Sequence, residues 1–405
     1  MQLIRNIGRL FTSAGADREP GPVIEHAAVV VDGDKLAWIG RDSEIPSGLT
    51  EVTGESDMGG CLVTPGLIDA HTHPLYAGDR HSEIARRSEG ASYSDIAAAG
   101  GGIAATVAAT RAAPAGEIAA ALAGRLDCWL AGGTTTIEAK TGYHLDEAGE
   151  LEGVRLLSAQ AEEGAGGGGV EITFLGGHAV GPEWEGDADA YARAVASWCA
   201  AARAAGARHV DVFCDAGYFS LEQSRLMLEA GKSVGLIPRI HADELALTGG
   251  AELAAELGCA SADHLLRVDE AGIRALASGG VVATLAPITA LAMGRTPPAR
   301  ALAEAGVTIA LGSDHNPGTC GTTSMSLVIA LSVAELGLSV HEAVVAATAG
   351  GARSLRLSDR GRIVTGMRAD LVAWQGEHEG AFAWSYGLLP ERVWRGGLQV
   401  AGGDS

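Results

Sequence analysis

The stretch CLVTPGLIDAHTH occupies residues 61–73, and it is typical of a buried strand that ends in two histidines, His71 and His73. Side chains two positions apart on an extended backbone point to the same side, so both imidazoles can reach one metal ion. An isolated pair of this kind is weak evidence, because a single histidine is more often a hydrogen-bonded core or surface residue. The interpretation therefore depends on how the other strands end.

Seven more apolar, β-rich runs follow, and Ala-rich segments of helical character separate them. The eight candidate strands are CLVTPGLIDA (61–70), TTTIEAK (134–140), EITFLGGH (171–178), HVDVFCD (209–215), LIPRIHAD (236–243), CASADHL (259–265), GVVATLA (280–286) and VTIALGSD (307–314). Strands that alternate with helices indicate βα units in a parallel sheet, and eight such units close a barrel. We therefore predict an α/β protein built on a (β/α)8 TIM-like barrel.

The two ends of the chain have a different pattern. AAVVVDGDKLAWIG (27–40) is typical of a β-hairpin around Asp32-Gly33-Asp34, and RIVTGMRADLVAW (362–374) is strand-like with turn signals. Neither segment is expected to be stable alone. We predict that residues 1–60 and 360–405 form one small composite β-sandwich domain, beside a metal-dependent hydrolase barrel of residues 61–359.

Composition limits the classes of protein and partner. The chain has 405 residues and a net charge of −21, which argues against a nucleic-acid partner because phosphate binding needs clustered Lys and Arg. No apolar run reaches the roughly 18–20 residues that span a bilayer, and the N-terminus lacks a signal-peptide pattern. Six cysteines without a CxxC pair favour reduced, buried thiols. We expect a cytoplasmic protein without a membrane or nucleic-acid partner.

Polar residues recur where the predicted strands end, which is where barrel enzymes place their catalytic groups. Besides His71 and His73, the strand ends carry His241-Ala242-Asp243-Glu244, Asp263-His264 and Ser313-Asp314-His315-Asn316. Four strand ends with His or Asp make unrelated core histidines improbable. Imidazole and carboxylate together suit an ion such as Zn or Fe with water in its open position, and such an ion lowers the pKa of that water toward about 7.

Several segments resemble the imidazolonepropionase family, which comprises amidohydrolases of histidine degradation. The similar segments are PGLIDAHTHPLYAGDR (65–80), GGGIAATVAATR (100–111), EAKTGY (138–143), TFLGGH (173–178), HADEL (241–245), ASADHL (260–265) and SDHNPGT (313–319). AHTH alone indicates only the superfamily, whereas AGDR, GGGI followed by TVAATR, and the NPG after the last strand are distinctive. The likeness runs through the whole predicted barrel.

The resemblance implies hydrolytic ring opening of 4-imidazolone-5-propanoate to N-formimidoyl-L-glutamate by a metal-activated water. It implies that one divalent or trivalent ion per chain, Zn or Fe, is held by His71, His73, His241 and Asp314. It assigns substrate binding to Arg80, Tyr143, His178, Asn316, Gly318 and Thr319. The planar guanidinium of Arg80 suits the carboxylate of such a heterocyclic substrate. The resemblance also implies a homodimer.

Three residues are expected to act at the reacting centre. Hydrolysis of a cyclic amide needs a base for water, a donor to the developing oxyanion and an acid for the leaving nitrogen. We predict that Glu244 orients or deprotonates water and protonates the leaving group, that His264 polarises the carbonyl, and that Asp314 holds the ion and shares the proton. The fourth strand has no lysine to bridge two ions, so a single ion is predicted and Lys140 is expected to support a loop or a neighbouring carboxylate.

Some residues depart from the family pattern. His144 follows the predicted substrate tyrosine, His315 precedes the NPG asparagine, and PITALAMGRTPPAR (287–300) after the seventh strand lacks the usual PG-rich form. We expect both histidines and this loop to border the pocket, either as neutral drift or as a change in the ring or side chain recognised. The alternative functions are hydrolysis of a related hydantoin or imidazolone, deamination of an amino-substituted heterocycle, and metal binding without catalysis.

Overall fold

The computed structural model describes residues 1–15, 21–49, 52–90, 99–163 and 169–402, together with Ile96 and Gly167. The strands form two separate sheets, one from the chain termini and one that curls into a barrel. The strands of the terminal sheet are β1 (Gln2–Phe11), β2 (Val23–Asp32), β3 (Lys35–Arg41), β4 (Gly54–Asp57), β5 (Leu62–Pro65), β15 (Leu371–Trp374), β16 (Pro390–Arg395) and β17 (Leu398–Ala401).

The terminal sheet joins the two ends of the chain, as the sequence predicts. Its order is β17-β16-β15-β5-β1-β2-β3, with β4 paired to β1. β2 and β3 pair antiparallel with Asp32 opposite Lys35, which confirms the hairpin and its turn at Gly33. Apolar side chains from both ends, among them Ile7, Val29 and Trp394, pack into one buried cluster. The division at residues 60 and 360 stays a prediction; β5 lies just past residue 60 and pairs with β15 in the terminal sheet.

The segment predicted as the first barrel strand is divided between the two sheets. Leu62–Pro65 pairs with β1 and β15 in the terminal sheet, and Leu67–Asp69 begins the barrel. Gly66 lies between them, and a Cβ at this position would be 2.1 Å from Thr135 Oγ1. The chain therefore passes from one sheet to the other through a residue that has no room for a side chain.

The barrel sheet follows the predicted order of βα units. Its strands are β6 (Leu67–Asp69), β7 (Thr134–Lys140), β8 (Val170–Gly177), β9 (His209–Cys214), β10 (Ile237–Pro238), β11 (Ile240–Ala242), β12 (Ser261–His264), β13 (Val282–Leu285) and β14 (Ile309–Leu311). All neighbours pair in parallel, and β10 is a short segment beside β9. The predicted fifth strand thus appears as two pieces on either side of Arg239.

Hydrogen bonds between the first and last strands bring the barrel to near closure. The Ala70 N–H donates to the Leu311 carbonyl at 3.1 Å, and the Asp314 N–H donates to the His71 carbonyl at 3.0 Å. The Asp69 carboxylate also accepts the Ser313 N–H at 2.8 Å. This closure places the first and eighth strand ends side by side and confirms the (β/α)8 prediction.

The helices occupy the segments between the barrel strands and extend beyond them. They are α1 (His81–Ser88), α2 (Ile103–Ala112), α3 (Ala115–Ala131), α4 (Glu147–Glu163), α5 (Ala188–Ala205), α6 (Leu221–Ser233), α7 (Gly250–Leu257), α8 (Glu270–Gly279), α9 (Pro287–Ala292), α10 (Ala299–Glu304), α11 (Met325–Leu336), α12 (Val340–Val345), α13 (Gly351–Ser354) and α14 (Ala381–Ser385). Ser220 starts α6 through a reciprocal capping box with Gln223. Within the described ranges, no helix combines the length and the apolar character needed to cross a membrane.

Candidate active site

The four predicted metal ligands converge at the C-terminal end of the barrel. The Nε2 atoms of His71 and His73 are 3.2 Å apart, and His241 Nε2 lies 3.4 Å from His73 Nε2. Asp314 Oδ1 lies 3.6 Å from His71 Nε2 and 3.4 Å from His73 Nε2. Four ligands about 2.0–2.1 Å from a tetrahedral ion are about 3.4 Å from one another. The spacing of His71, His73 and Asp314 therefore fits one ion, and His241 lies beside them in a second group of possible ligands that also contains His71 and His264.

A carboxylate lies behind two of these histidines. His71 Nδ1 is 2.7 Å from Asp263 Oδ2, and His241 Nδ1 is 3.1 Å from Asp211 Oδ2. A carboxylate at Nδ1 favours the tautomer whose Nε2 lone pair is free for a metal. Burial lowers the pKa of His71 well below its ordinary value, so the imidazole is neutral. His71 is thus in the form that binds a cation, and the contact with Asp211 favours the same tautomer for His241.

Lys140 lies inside the barrel among carboxylates. Its Nζ is 2.7 Å from Glu138 Oε1 and 2.8 Å from Asp211 Oδ2, and the side chain is fully buried. Arg239 Nη2 contacts Asp263 Oδ2 at 3.1 Å. Burial alone would raise the pKa of Asp211, but His241 and Lys140 lower it well below its usual range. Lys140 therefore has the contacts of a carboxylate partner, which was the role expected for it.

The three predicted catalytic residues face one strand-end cavity. His264 Nε2 is 3.8 Å from Glu244 Oε2, and Asp314 lines the same cavity. Burial, with the charges of Asp314 and Asp215, raises the pKa of Glu244 well above its ordinary value. Burial also raises the pKa of Asp314 to about 6 and lowers that of His264 to about 3. The site thus holds a neutral imidazole beside a carboxyl group that retains its proton more readily than usual.

Arg80 brings a cation to the same cavity. Its side chain is buried, and Nε donates to Glu83 Oε2 at 2.8 Å. The other oxygen of Glu83 accepts the Gly102 N–H at 2.9 Å, which ties Arg80 to the start of α2. The guanidinium lies so close to Gly318 that a Cβ there would come within 2.4 Å of Nη1. The glycine predicted at the substrate therefore also makes room for the arginine.

Tyr143 and His178 form one wall of the cavity. Their rings are 5.1 Å apart in an edge-on arrangement, and His178 stacks on His73 at 5.0 Å. His178 Nδ1 lies 3.0 Å from the Gly142 carbonyl, which can only accept a hydrogen bond. Burial lowers the pKa of His178 to about 3, so Nδ1 carries the proton and Nε2 is an acceptor. This wall can receive an N–H group from a ligand.

The predicted substrate loop after β14 is held together by Asn316. Its Oδ1 accepts the N–H groups of Gly318 at 2.8 Å and Thr319 at 2.9 Å, and its Nδ2 donates to the Asp314 carbonyl at 2.6 Å. Nδ2 also donates to Thr319 Oγ1 at 2.8 Å. All three loop residues line the cavity. The amide of Asn316 is occupied by its own loop, so in this conformation it shapes the site.

The expectation that His144 and His315 border the pocket is wrong for the described lining of the cavity. His315 is buried beneath it, with Nε2 3.2 Å from the Tyr76 hydroxyl and Nδ1 3.2 Å from the Thr322 carbonyl. Its ring packs edge-on against Trp129. These contacts hold the side chain of His315 outside the cavity that Asp314 lines. The altered loop after the seventh strand does reach the cavity, through Met293.

Several lining residues were assigned no role from the sequence, although Ile103 and Leu245 stand in the similar segments and Met293 in the segment 287–300. They are Ile103, Phe213, Tyr218, Leu245 and Met293. Phe213 and Tyr218 stack at 4.0 Å between ring centroids, and Phe213 lies 5.3 Å from the ring of His241. Phe213 falls at the end of a predicted strand, which was a usable signal. The others lie in loops or at a helix start, where an apolar residue indicates no particular chemistry.

Comparison with known proteins is consistent with this geometry. A model of the amidohydrolase family matches residues 239–393. The chain is 46% identical over 374 residues to the imidazolonepropionase of Anaeromyxobacter dehalogenans, covering 89% of this chain and 87% of the relative. It is 42% identical over 401 residues to the imidazolonepropionase of Streptomyces coelicolor, covering 98% of each chain. These alignments span both the terminal sheet and the barrel.

The fold is also shared with more distant proteins. The crystal structure of an adenosine deaminase from Xanthomonas campestris, which contains bound zinc, superposes with a TM-score of 0.72 at 18% identity. The match covers 98% of this chain and 92% of the deaminase. At this identity the similarity shows the architecture alone.

Proposed function

The chain belongs to the imidazolonepropionase family of amidohydrolases, and from this membership we propose that its site hydrolyses 4-imidazolone-5-propanoate to N-formimidoyl-L-glutamate. One observation carries the substrate assignment to this chain: the buried guanidinium of Arg80 lines the same cavity as the cluster of His73, His241 and Asp314. A ring with a carboxylate side chain would satisfy both ends of the cavity at once. Charge-assisted hydrogen bonds to a guanidinium are among the stronger polar contacts in proteins.

We propose that His71, His73, His241 and Asp314 hold one ion per chain, either Zn or Fe. When bound, such an ion lowers the pKa of water and polarises a carbonyl group. The imidazoles and the carboxylate, with contacts of 3.2 to 3.6 Å, support this assignment. Elemental analysis of the purified protein by mass spectrometry tests it. Two ions per chain, or none that survives gel filtration, would contradict a single built site.

The chemistry requires addition of water to the ring carbonyl carbon, cleavage of its C–N bond and transfer of a proton to the leaving nitrogen. Glu244 lines the cavity and carries a raised pKa, so its Oε2 can take a proton from water and return it to that nitrogen. His264 Nε2 can donate a hydrogen bond to the carbonyl oxygen as negative charge develops there. The wall formed by Tyr143 and His178 keeps the ring in place, and Nε2 of His178 can accept a ring N–H.

The direct test is an assay for loss of imidazolone ultraviolet absorbance by the metal-loaded protein, with the His241→Ala variant as control. We expect turnover by the wild type, none by the variant, and N-formimidoylglutamate as the product. Ammonia release would instead support deamination of a heterocycle. Opening of a hydantoin or another imidazolone without turnover of imidazolonepropionate would assign the site to a related cyclic amide.

The cellular setting is also a proposal. We propose a cytoplasmic homodimer that acts on a small molecule and binds no nucleic acid. The net charge of −21 supports the last point because it repels phosphate backbones. Sedimentation velocity would test the dimer, and a monomer at micromolar concentration would contradict it.

A further inference from the structure

Two buried carboxylates outside the cavity each hold one of the loops that line it. Asp215 lies just beyond the end of β9, and Glu150 lies in the first turn of α4. Asp215 is 3% exposed and Glu150 is fully buried. Neither side chain is part of the cavity lining, and each accepts hydrogen bonds from the backbone of a loop that is.

Asp215 holds the segment that follows β11. Its Oδ2 accepts the Glu244 N–H at 2.8 Å and the Leu245 N–H at 2.7 Å, and its Oδ1 accepts the Ala246 N–H at 3.0 Å. Oδ1 also accepts the Ala216 N–H at 2.7 Å. Four backbone donors thus converge on one carboxylate. These bonds fix the backbone of Glu244 directly, and none of them involves a proposed metal ligand.

Glu150 holds the segment that follows β7 in the same way. Its Oε2 accepts the Gly142 N–H at 2.9 Å, and its Oε1 accepts the N–H groups of His144 and Leu145, both at 2.9 Å. These bonds lie on both sides of Tyr143. The Gly142 carbonyl in turn faces His178 Nδ1 at 3.0 Å. Glu150 therefore supports both residues of the cavity wall.

We propose that Asp215 and Glu150 are positioning residues with separate duties: Asp215 fixes Glu244 at the reacting centre, and Glu150 fixes Tyr143 and His178 against the substrate. This inference rests on the proposed function, because it takes Glu244 as the proton carrier and the wall as a binding surface. A carboxylate accepts several N–H groups at once, whereas an amide side chain replaces one acceptor oxygen with a donor. Neutral isosteres should therefore release the loops without changing side-chain size.

The experiment compares Asp215→Asn with Glu150→Gln, so that each variant is the matched control of the other. A misplacement of about 1 Å can cost about 10²-fold in rate, so Asp215→Asn should lower kcat by about that factor while KM stays within about threefold. Glu150→Gln should raise KM about tenfold, the equivalent of one lost polar contact, while kcat stays within about threefold. Equal effects of both variants on both constants would overturn the proposal.

Hydrogen exchange followed by mass spectrometry supplies a readout that needs no substrate. Asp215→Asn should speed exchange of the amides of 244–246 but not of 142–145, and Glu150→Gln should do the reverse. Exchange that rises throughout the barrel, or in neither segment, would contradict the assignment. If Asp215→Asn fails to fold, Asp215→Glu retains the acceptors at a shifted position and should lower kcat without moving KM. Wild-type protein that leaves imidazolonepropionate intact would refute the proposed substrate, while the exchange pattern would still decide the positioning.

Discussion

The floor of the cavity is built from strand ends, whereas its rim is built from loops. The floor consists of His73, His241 and Asp314, with His71 in contact with His73 behind them, and every one of these residues is buried. The rim consists of Arg80, Met293 and the loop that Asn316 closes. Floor residues are placed by the parallel ladder of the barrel, and rim residues are placed by contacts between separate loops. We infer that the floor determines which chemistry is possible and that the rim determines which molecule undergoes it.

The largest effect is expected when the floor loses a ligand. His241→Ala should abolish binding of the ion and lower kcat on the order of 10⁴-fold or more, because groups that act as a unit lose nearly the whole effect together. Metal content and turnover should be measured on the same sample. Removal of the ion from the wild type by a chelator should lower kcat as much as the substitution does. Activity that returns when metal is added to the variant would contradict the role of His241 as a ligand.

Glu244 lies beside the floor without being one of the proposed ligands. Glu244→Gln should lower kcat by about 10²–10⁴-fold, the usual contribution of a positioned acid or base, while the bound ion is retained. Stopped assays at saturating substrate and elemental analysis would check both statements. Loss of the ion in this variant would show that Glu244 belongs to the metal site itself.

A rim substitution should act on binding. Arg80→Met removes a charge-assisted contact worth about 1.5–3 kcal/mol, so KM for a carboxylate-bearing ring should rise roughly 10–10²-fold with kcat little changed. Glu83 would lose its buried partner, so the melting temperature should be measured in parallel. The amide analogue of the substrate is the control, since its KM should hardly differ between wild type and variant. A fall in kcat without a rise in KM would contradict this prediction and indicate that Arg80 acts on the chemical step, as the floor residues do.

The smallest catalytic effect is expected beneath the rim. His315→Phe leaves the Tyr76 hydroxyl and the Thr322 carbonyl without this partner, and an unsatisfied buried polar group costs about 1–3 kcal/mol. The free energy of unfolding should fall by that amount in denaturant titrations, with kcat and KM nearly unchanged. A changed preference among ring substrates would contradict this prediction and indicate that His315 takes part in substrate recognition.

The same contrast explains what could be predicted from the sequence. A period of two along a strand predicts that His71 and His73 point the same way, and the positions of His241 and Asp314 at predicted strand ends place them at the same end of the barrel. The resemblance to the family then implied that these four residues share one ion. The contacts between loops could not be predicted in this way. The segment 287–300 was expected at the pocket, but nothing local indicates that His315 packs on Trp129, because these two residues lie far apart in the chain.

Two features inside the fold could be predicted from the sequence only in part, for related reasons. A carboxylate partner was one of the roles expected for Lys140, but the identity of its partner Asp211, and the buried pairing of Arg239 with Asp263, depend on closure of the barrel. Likewise, residues 61–70 have the pattern of one apolar strand, because a local sequence does not show which strands will pair with it. Gly66 was the available signal of a break, because glycine inside a strand often marks a close approach of another part of the chain.

The passage of the chain from one sheet to the other at Gly66 also bears on biosynthesis. β5 pairs with β15, whose residues are roughly 300 positions later in the sequence, so one edge of β5 has no partner until nearly the whole protein has been translated. At about 5–20 residues per second, this delay is roughly 15–60 s on the ribosome. An unpaired apolar edge is a template for unwanted strand pairing. The nascent chain therefore carries a risk of aggregation at β5, and a chaperone that covers this edge should raise the yield of folded protein.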